Sequence, residues 1–207
     1  TARYNAEYDH LEVPGLLIRR GMEFGLTPDN ADRLKIDLNR RHFDFVLGSV
    51  HLVDGMDVYL EPYWADKSYD EAIRRYLETT LEAVRAHEDY DVLGHLTFIS
   101  KCSGNPRKEL LRYEDHKPVM DEILRELVKR EKGMELNTSG IDRCGGPLPT
   151  LDIFRRFHEL GGRIVTVGSD SHDTSRVGQY THEMAAELKK IFGYVCTFED
   201  RKPLFHR

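Results

Sequence analysis

The sequence predicts an α/β fold built on a parallel β-sheet, and two observations carry that expectation. Short apolar runs alternate with longer segments of helical period along the whole chain, and the residues with useful chemistry stand where the apolar runs stop. Strands are expected at 17–23, 43–51, 91–96, 133–137, 163–169 and 194–198. The segments between them carry helix signals. Thr27 before Pro28 reads as one helix start, and Ser68 followed three residues later by Glu71 reads as a capping box. After Ser68, one face collects Ala72, Ile73, Tyr76, Leu77, Leu81 and Val84; a later helix repeats the pattern with Val119, Met120, Ile123, Leu124, Leu127 and Val128. Thr150 is placed to cap a helix over 151–160, which Gly161 and Gly162 end, and Gly145-Gly146-Pro147 reads as a turn. A chain of this order makes either an open doubly wound sheet or a closed barrel, and periodicity does not separate the two.

Length and charge narrow the classes. A chain of 207 residues that is 40% hydrophobic is expected to form a single domain over 1–207 around one core. Its 36 acids and 30 bases leave a net charge of −6 with no basic run, so nucleic acid is not an expected partner. No apolar stretch approaches the ~18 residues of a membrane span, and the opening TARYNAEYDH lacks signal-peptide character. A cytoplasmic, soluble protein without a membrane partner is expected, and oligomeric state is not legible. Cys102, Cys144 and Cys196 are widely spaced and read as reduced thiols rather than a disulfide or zinc framework.

In parallel α/β folds, function gathers at the carboxyl ends of the strands, where loops and helix N-termini converge. Here those ends read Gly-Met-Glu23, Gly-Ser-Val-His51, Gly-His95, Glu-Leu-Asn-Thr-Ser at 135–139, and Gly-Ser-Asp170-Ser-His172. One histidine at a strand end is most often a solvated residue; five polar ends on one rim suggest a site. Glu23, His51, His95, Asp170 and His172 form an imidazole and carboxylate set suited to Zn, Mn or Fe, and a carboxylate can bridge two ions about 3.5–4 Å apart to activate water for phosphate-ester hydrolysis. In an extended backbone Asp170 and His172 would point the same way. Lys101, Arg143 and Arg176 stand near the same rim as candidate phosphate anchors, Arg143 and Arg176 through guanidinium forks. A serine hydrolase is disfavoured, because Ser169, Asp170 and His172 are too close in sequence for a relay and no Gly-x-Ser-x-Gly elbow occurs. The remaining histidines, His42, His87, His116, His158, His182 and His206, are expected on the solvated surface.

The five strand ends, taken in order, resemble the PHP (polymerase and histidinol phosphatase) family. Asn-Thr-Ser-Gly, the Gly-Ser-Asp-Ser-His stretch and Thr-Phe-Glu-Asp-Arg-Lys-Pro at 197–203 resemble its histidinol-phosphate phosphatase branch. The resemblance implies a distorted (βα)7 barrel with two or three divalent ions, Zn, Mn or Fe, at the carboxyl rim. By that likeness Glu23 bridges two ions, His51 and His95 complete the second, Asp170 binds the first and His172 the third; Glu23, Asp170 and His172 then count as catalytic. The implied activity is hydrolysis of a small phosphate monoester, L-histidinol phosphate, in histidine biosynthesis. Other expectations are a PHP phosphoesterase acting on nucleotides or short oligonucleotides, and an inactive metal-binding remnant. One feature departs from the family: its opening His-x-His is absent, and Tyr8-Asp9-His10 is the only early acid-histidine pair. The chain is therefore expected to lack its first one or two βα units, with His10 at the surface.

Overall fold

The computed structural model describes residues 11–207, so Tyr8, Asp9 and His10 lie outside the described residues. Five strands form one parallel sheet in the order β1 (Gly21–Gly25), β2 (Phe45–Ser49), β5 (Val92–Leu93), β6 (Gly133–Asn137) and β7 (Val165–Gly168). Register aligns Glu23 with Leu47, Gly48 with Leu93, Leu93 with Met134, and Asn137 with Gly168, so all five carboxyl ends emerge on one side. β1 and β7 are the edges, and no pairing between them closes a barrel among the described residues. Every residue of β6 is buried, as expected of a central strand covered on both faces, whereas β1 alternates exposed and half-buried positions. A small hairpin, β3 (Leu52–Val53) with β4 (Met56–Asp57), follows β2.

The helices are α1 (Ala31–Asn39), α2 (Glu61–Trp64), α3 (Tyr69–Ala86), α4 (Lys117–Lys129), α5 (Ile141–Cys144), α6 (Leu151–Glu159) and α7 (Thr181–Phe192). In α3 all six residues expected on the inner face are buried. In α4, Met120, Ile123, Leu124 and Leu127 are buried while Val119 and Val128 pack at the margin. Burial of each such aliphatic side chain contributes about 1.5–3 kcal/mol. The Ser68 capping box is present: Ser68 Oγ accepts from the Glu71 N–H at 3.3 Å, and Glu71 Oε2 accepts from the Ser68 N–H at 2.9 Å.

Four expectations are corrected. The segment 194–198 does form a strand, β8 (Val195–Glu199), but it pairs antiparallel with β9 (Lys202–His206) instead of joining the parallel sheet. Asp200 and Arg201 both have positive φ, 49° and 63°, which gives the two-residue turn that folds β9 back on β8. Helix α1 begins at Ala31 rather than after Thr27, because the Asn30 side chain accepts from the Thr27 N–H and donates to Gly25 O, holding that segment as a turn. The Thr150 hydroxyl donates to Leu111 O and does not cap α6. His87, expected on the surface, is 1% exposed, with Nε2 2.9 Å from Thr27 O.

Two bonded clusters tie the elements together. At the amino ends of the strands, Asp44 accepts from the Arg20 and Asp200 N–H groups, while Asp91 Oδ2 accepts from the Val46 N–H and from Arg201 Nε at 2.6 Å. Between α4 and α6, Arg156 donates twice to Asp121, both bonds at 2.8 Å, and Tyr113 Oη donates to the same carboxylate. No helix among the described residues is long and apolar enough to cross a membrane.

Replacing Ser68 with Ala should cost about 1 kcal/mol in urea unfolding, the worth of a side-chain cap; an unchanged midpoint would remove the capping box from the account. The Arg156 bonds hold the Asp121 carboxyl below its ordinary range against the opposing effect of burial, with Tyr113 adding to them. A depressed carboxyl contributes stability that is fully present above its unfolded pKa of about 3.9 and is lost as pH falls toward the folded value. Asp121→Asn should therefore flatten the acid limb of a stability curve below about pH 4. An acid limb as steep as the parent's would show that other carboxylates govern it.

Candidate metal centre

Three adjacent strands bring Glu23, His51 and His95 together. Glu23 stands in the middle of β1 and reaches forward with its longer side chain, while His51 and His95 follow the ends of β2 and β5. The ligand atoms converge: His95 Nε2 lies 3.1 Å from Glu23 Oε1, His51 Nε2 lies 3.5 Å from the same oxygen, and the two Nε2 atoms are 3.3 Å apart. Neighbouring ligands of a tetrahedral zinc bonded at ~2.0–2.1 Å stand about 3.3–3.4 Å apart. Both the donor chemistry and the separations therefore fit one divalent ion. The close approach of the two strands depends on a missing side chain, since a Cβ at Gly94 would clash with Ser49 Oγ.

Electrostatics prepares these groups as ligands. Burial would raise the Glu23 carboxyl, but the hydrogen bond and charge of His95, with the Ser49 hydroxyl and His51 adding to them, bring it down to about 2. Burial lowers the His51 imidazole, the His95 charge adds to that, and Glu23, Asp170 and Asp57 oppose it. At neutral pH the cluster thus offers a carboxylate and an imidazole that keeps its lone pair, the forms that bind a cation.

Asp170 and His172 share the cavity but not this cluster. Asp170 has φ 48°, in the left-handed region, so the backbone beyond β7 is not extended and the expected alternation fails there. His172 has a side chain 88% exposed, with Nδ1 3.0 Å from Asp170 O. The Asp170 carboxylate pairs with Lys101 Nζ through Oδ2 at 2.5 Å. Burial would raise this carboxyl; the hydrogen bond and charge of Lys101 outweigh it and hold Asp170 low. Arg143 donates to Tyr59 Oη at 2.7 Å, and Arg176 pairs with Asp142 at 3.2 Å.

A cavity of about 540 Å³ is lined by all eight residues singled out in the sequence, Glu23, His51, His95, Lys101, Arg143, Asp170, His172 and Arg176. It also contains Ser139, which the strand-end reading had included without giving it a role, and residues that reading missed: Asp57, Tyr59, Phe98 and Asp173. Asp57 and Tyr59 arrive through the β3–β4 hairpin, whose turn has positive φ at Asp54 and Gly55. The Asp-Gly pair was a visible hairpin signal. A second close set, His42, Asp44 and Asp200, lies at the opposite ends of the strands, and the Asp44 oxygens are already engaged by backbone N–H groups.

Fold and site together define an α/β protein with metal-capable donors at the carboxyl rim of a parallel sheet. More narrowly, the chain belongs to the PHP domain family, whose profile matches residues 2–139. It is 33% identical over 179 residues to the probable histidinol-phosphatase of Clostridium acetobutylicum, an alignment covering 85% of this chain and 68% of that protein. It is 30% identical over 187 residues to the histidinol-phosphatase of Lactococcus lactis, covering 89% and 69%. The probable histidinol-phosphatase of Thermotoga maritima is 35% identical over 158 residues, with 74% and 59% covered. Among solved structures, the L. lactis histidinol phosphate phosphatase complexed with zinc, L-histidinol and phosphate superposes with a TM-score of 0.81 at 27% identity, covering 98% of this chain and 76% of that one. The family and branch resemblance read from the strand ends is borne out.

If Glu23, His51 and His95 form the centre, His51→Ala or Glu23→Gln should weaken zinc binding at least about tenfold, whereas His42→Ala should leave it unchanged. Metal analysis after dialysis against graded zinc buffers measures this. Equal losses in the rim and His42 variants would refute the assignment.

Proposed function

We propose that this chain hydrolyses L-histidinol phosphate to L-histidinol and phosphate, acting as a metal-dependent phosphomonoesterase. The observation that carries the reading is one cavity in which an ion-binding triad faces three cationic side chains, in a chain whose curated relatives are named histidinol-phosphatases. Zinc, the ion of the L. lactis complex, would be held by Glu23, His51 and His95 and would supply Lewis acidity toward a phosphoryl oxygen. The same reading gives a complete site two or three divalent ions. Asp170 and His172 then serve the further ions, with Asp170 Oδ1 available while Oδ2 stays with Lys101.

The protein's own groups divide the substrate between them. Lys101, Arg143 and Arg176 neutralise and orient the phosphate oxygens, the arginines held in place by Tyr59 and Asp142. Asp57 lies on the cavity wall, accepts the Tyr59 N–H and has no ion-pair partner among the described residues. It supplies the carboxylate that the substrate ammonium requires. Glu23 would hold the ion as its carboxylate ligand, and the bound ion would supply the activation of water. The domain on this reading is the single unit 1–207, as a PHP-like fold.

Zinc-loaded protein should release phosphate from L-histidinol phosphate, and chelation should stop the release. His51→Ala should lower kcat/KM by at least about a hundredfold. Activity that survives either treatment within a few-fold would defeat the metal mechanism.

A further inference from the structure

We propose that Asn137 is a positioning residue: by taking the Ser139 proton it keeps Ser139 and Asp170 as the two acceptors that hold the Lys101 ammonium in place, with its third N–H left for an anionic group in the cavity, a role that rests on the phosphatase reading above. The chain of contacts is continuous. The His95 backbone N–H donates to Glu135 Oε2 at 3.0 Å, and Asn137 Nδ2 donates to the same oxygen at 3.2 Å. Asn137 Oδ1 receives the Ser139 N–H at 3.0 Å and the Ser139 hydroxyl at 2.5 Å. Ser139 Oγ receives Lys101 Nζ at 2.6 Å, and Lys101 Nζ donates onward to Asp170 Oδ2 at 2.5 Å.

The direction of every link follows from donor chemistry. A backbone N–H can only donate, so the Asn137 atom facing the Ser139 N–H is its oxygen, and its nitrogen faces Glu135. That oxygen carries no proton, so the short contact from Ser139 is made by the serine hydroxyl as donor. An ammonium can only donate, so Ser139 accepts from Lys101; Asn137 takes the serine proton, whose other acceptor is Asp170 Oδ2 at 3.5 Å, and so leaves that oxygen to Lys101. An ammonium has three N–H groups; Ser139 and Asp170 take two, and the third has no oxygen or nitrogen acceptor among the described residues, with only the Phe98 ring nearby, its centroid 5.1 Å from Nζ. Lys101 lines the cavity, where a phosphoryl oxygen is the fitting acceptor.

Burial makes this order rigid. Asn137 is 0% exposed, Glu135 5% and Lys101 8%, so no water competes freely for their bonds. The Glu135 carboxyl fills the space that a side chain at position 168 would need, packed against the Gly168 backbone. Asn137 thus joins the backbone of one proposed metal ligand to the cation beside another.

A double-mutant cycle tests the role, read both in kcat/KM for L-histidinol phosphate and in the affinity of the zinc-loaded protein for inorganic phosphate. Asn137→Ala should lower both by at least about tenfold in the parent chain, yet by less than about threefold in the Lys101→Ala background, because the residue acts through Lys101. Thermal unfolding and zinc content establish that each variant is folded and loaded. Equal losses in both backgrounds would mark Asn137 as merely structural and overturn the proposal, as would a single variant with undiminished phosphate affinity. Should Asn137→Ala fail to fold, Ser139→Ala enters the same cycle with the same expected non-additivity. A parent chain that binds phosphate but releases none from L-histidinol phosphate would overturn the phosphatase reading alone, and the cycle would then be decided by phosphate affinity.

Discussion

Parallel pairing of β1, β2 and β5 is the constraint on which the site depends. Adjacent strands lie about 4.8 Å apart, so side chains leaving their carboxyl ends can share one small volume without distorting the backbone. The register supplies the depth: Glu23 pairs with Leu47, before the end of β2, while His51 follows that strand. A longer side chain from an earlier position thus meets shorter ones from later positions. An antiparallel neighbour would have sent its carboxyl end to the other side. The sheet order therefore matters to the chemistry more directly than any individual helix.

Charge would give an ion at the triad a second task besides Lewis acidity. The cavity wall carries four acids, Glu23, Asp57, Asp170 and Asp173, against three permanent cations, Lys101, Arg143 and Arg176. Two of those cations are paired with carboxylates, Lys101 with Asp170 and Arg176 with Asp142. Such a wall attracts a phosphate dianion poorly on its own. On the proposed reading a divalent ion at the triad would reverse the balance, and Asp57, without an ion-pair partner among the described residues, would take the positive end of the substrate. Opposite charges at separate points of one cavity orient such a molecule as well as bind it.

Much of this was legible in the sequence because the rim rule depends only on where apolar runs stop. All eight residues chosen that way line one cavity. Local pattern failed where tertiary contacts decide. The 194–198 run looked like another parallel strand, but the Asp200-Arg201 turn folds β9 onto it. Asp170 and His172 lost their alternation to a left-handed backbone that no side-chain pattern announces. His87 proved buried through a bond to Thr27, sixty positions away in the chain. Glu135 and Asn137 were visible in the sequence as polar residues inside a strand, yet their meaning came from His95 and Lys101, contributed by other segments.

The two ends of the sheet divide stability from chemistry. At the amino ends, Asp44 and Asp91 satisfy backbone N–H groups and bind the β8–β9 turn through Asp200 and Arg201, so the charged groups there have their partners within the protein. At the carboxyl ends the balance is different: Glu23, His51 and His95 crowd three ligand atoms together, Asp57 lacks an ion-pair partner among the described residues, and Lys101 keeps one donor unspent. Close donors without enough protons to bond them all are costly unless a cation completes them. The satisfied end can bear that cost for the whole sheet, because the same strands run through both. The closing Thr-Phe-Glu-Asp-Arg-Lys-Pro segment, whose Asp200 and Arg201 bond to Asp44, Asp89 and Asp91 at the amino ends, therefore contributes to the site by securing the strands that present it.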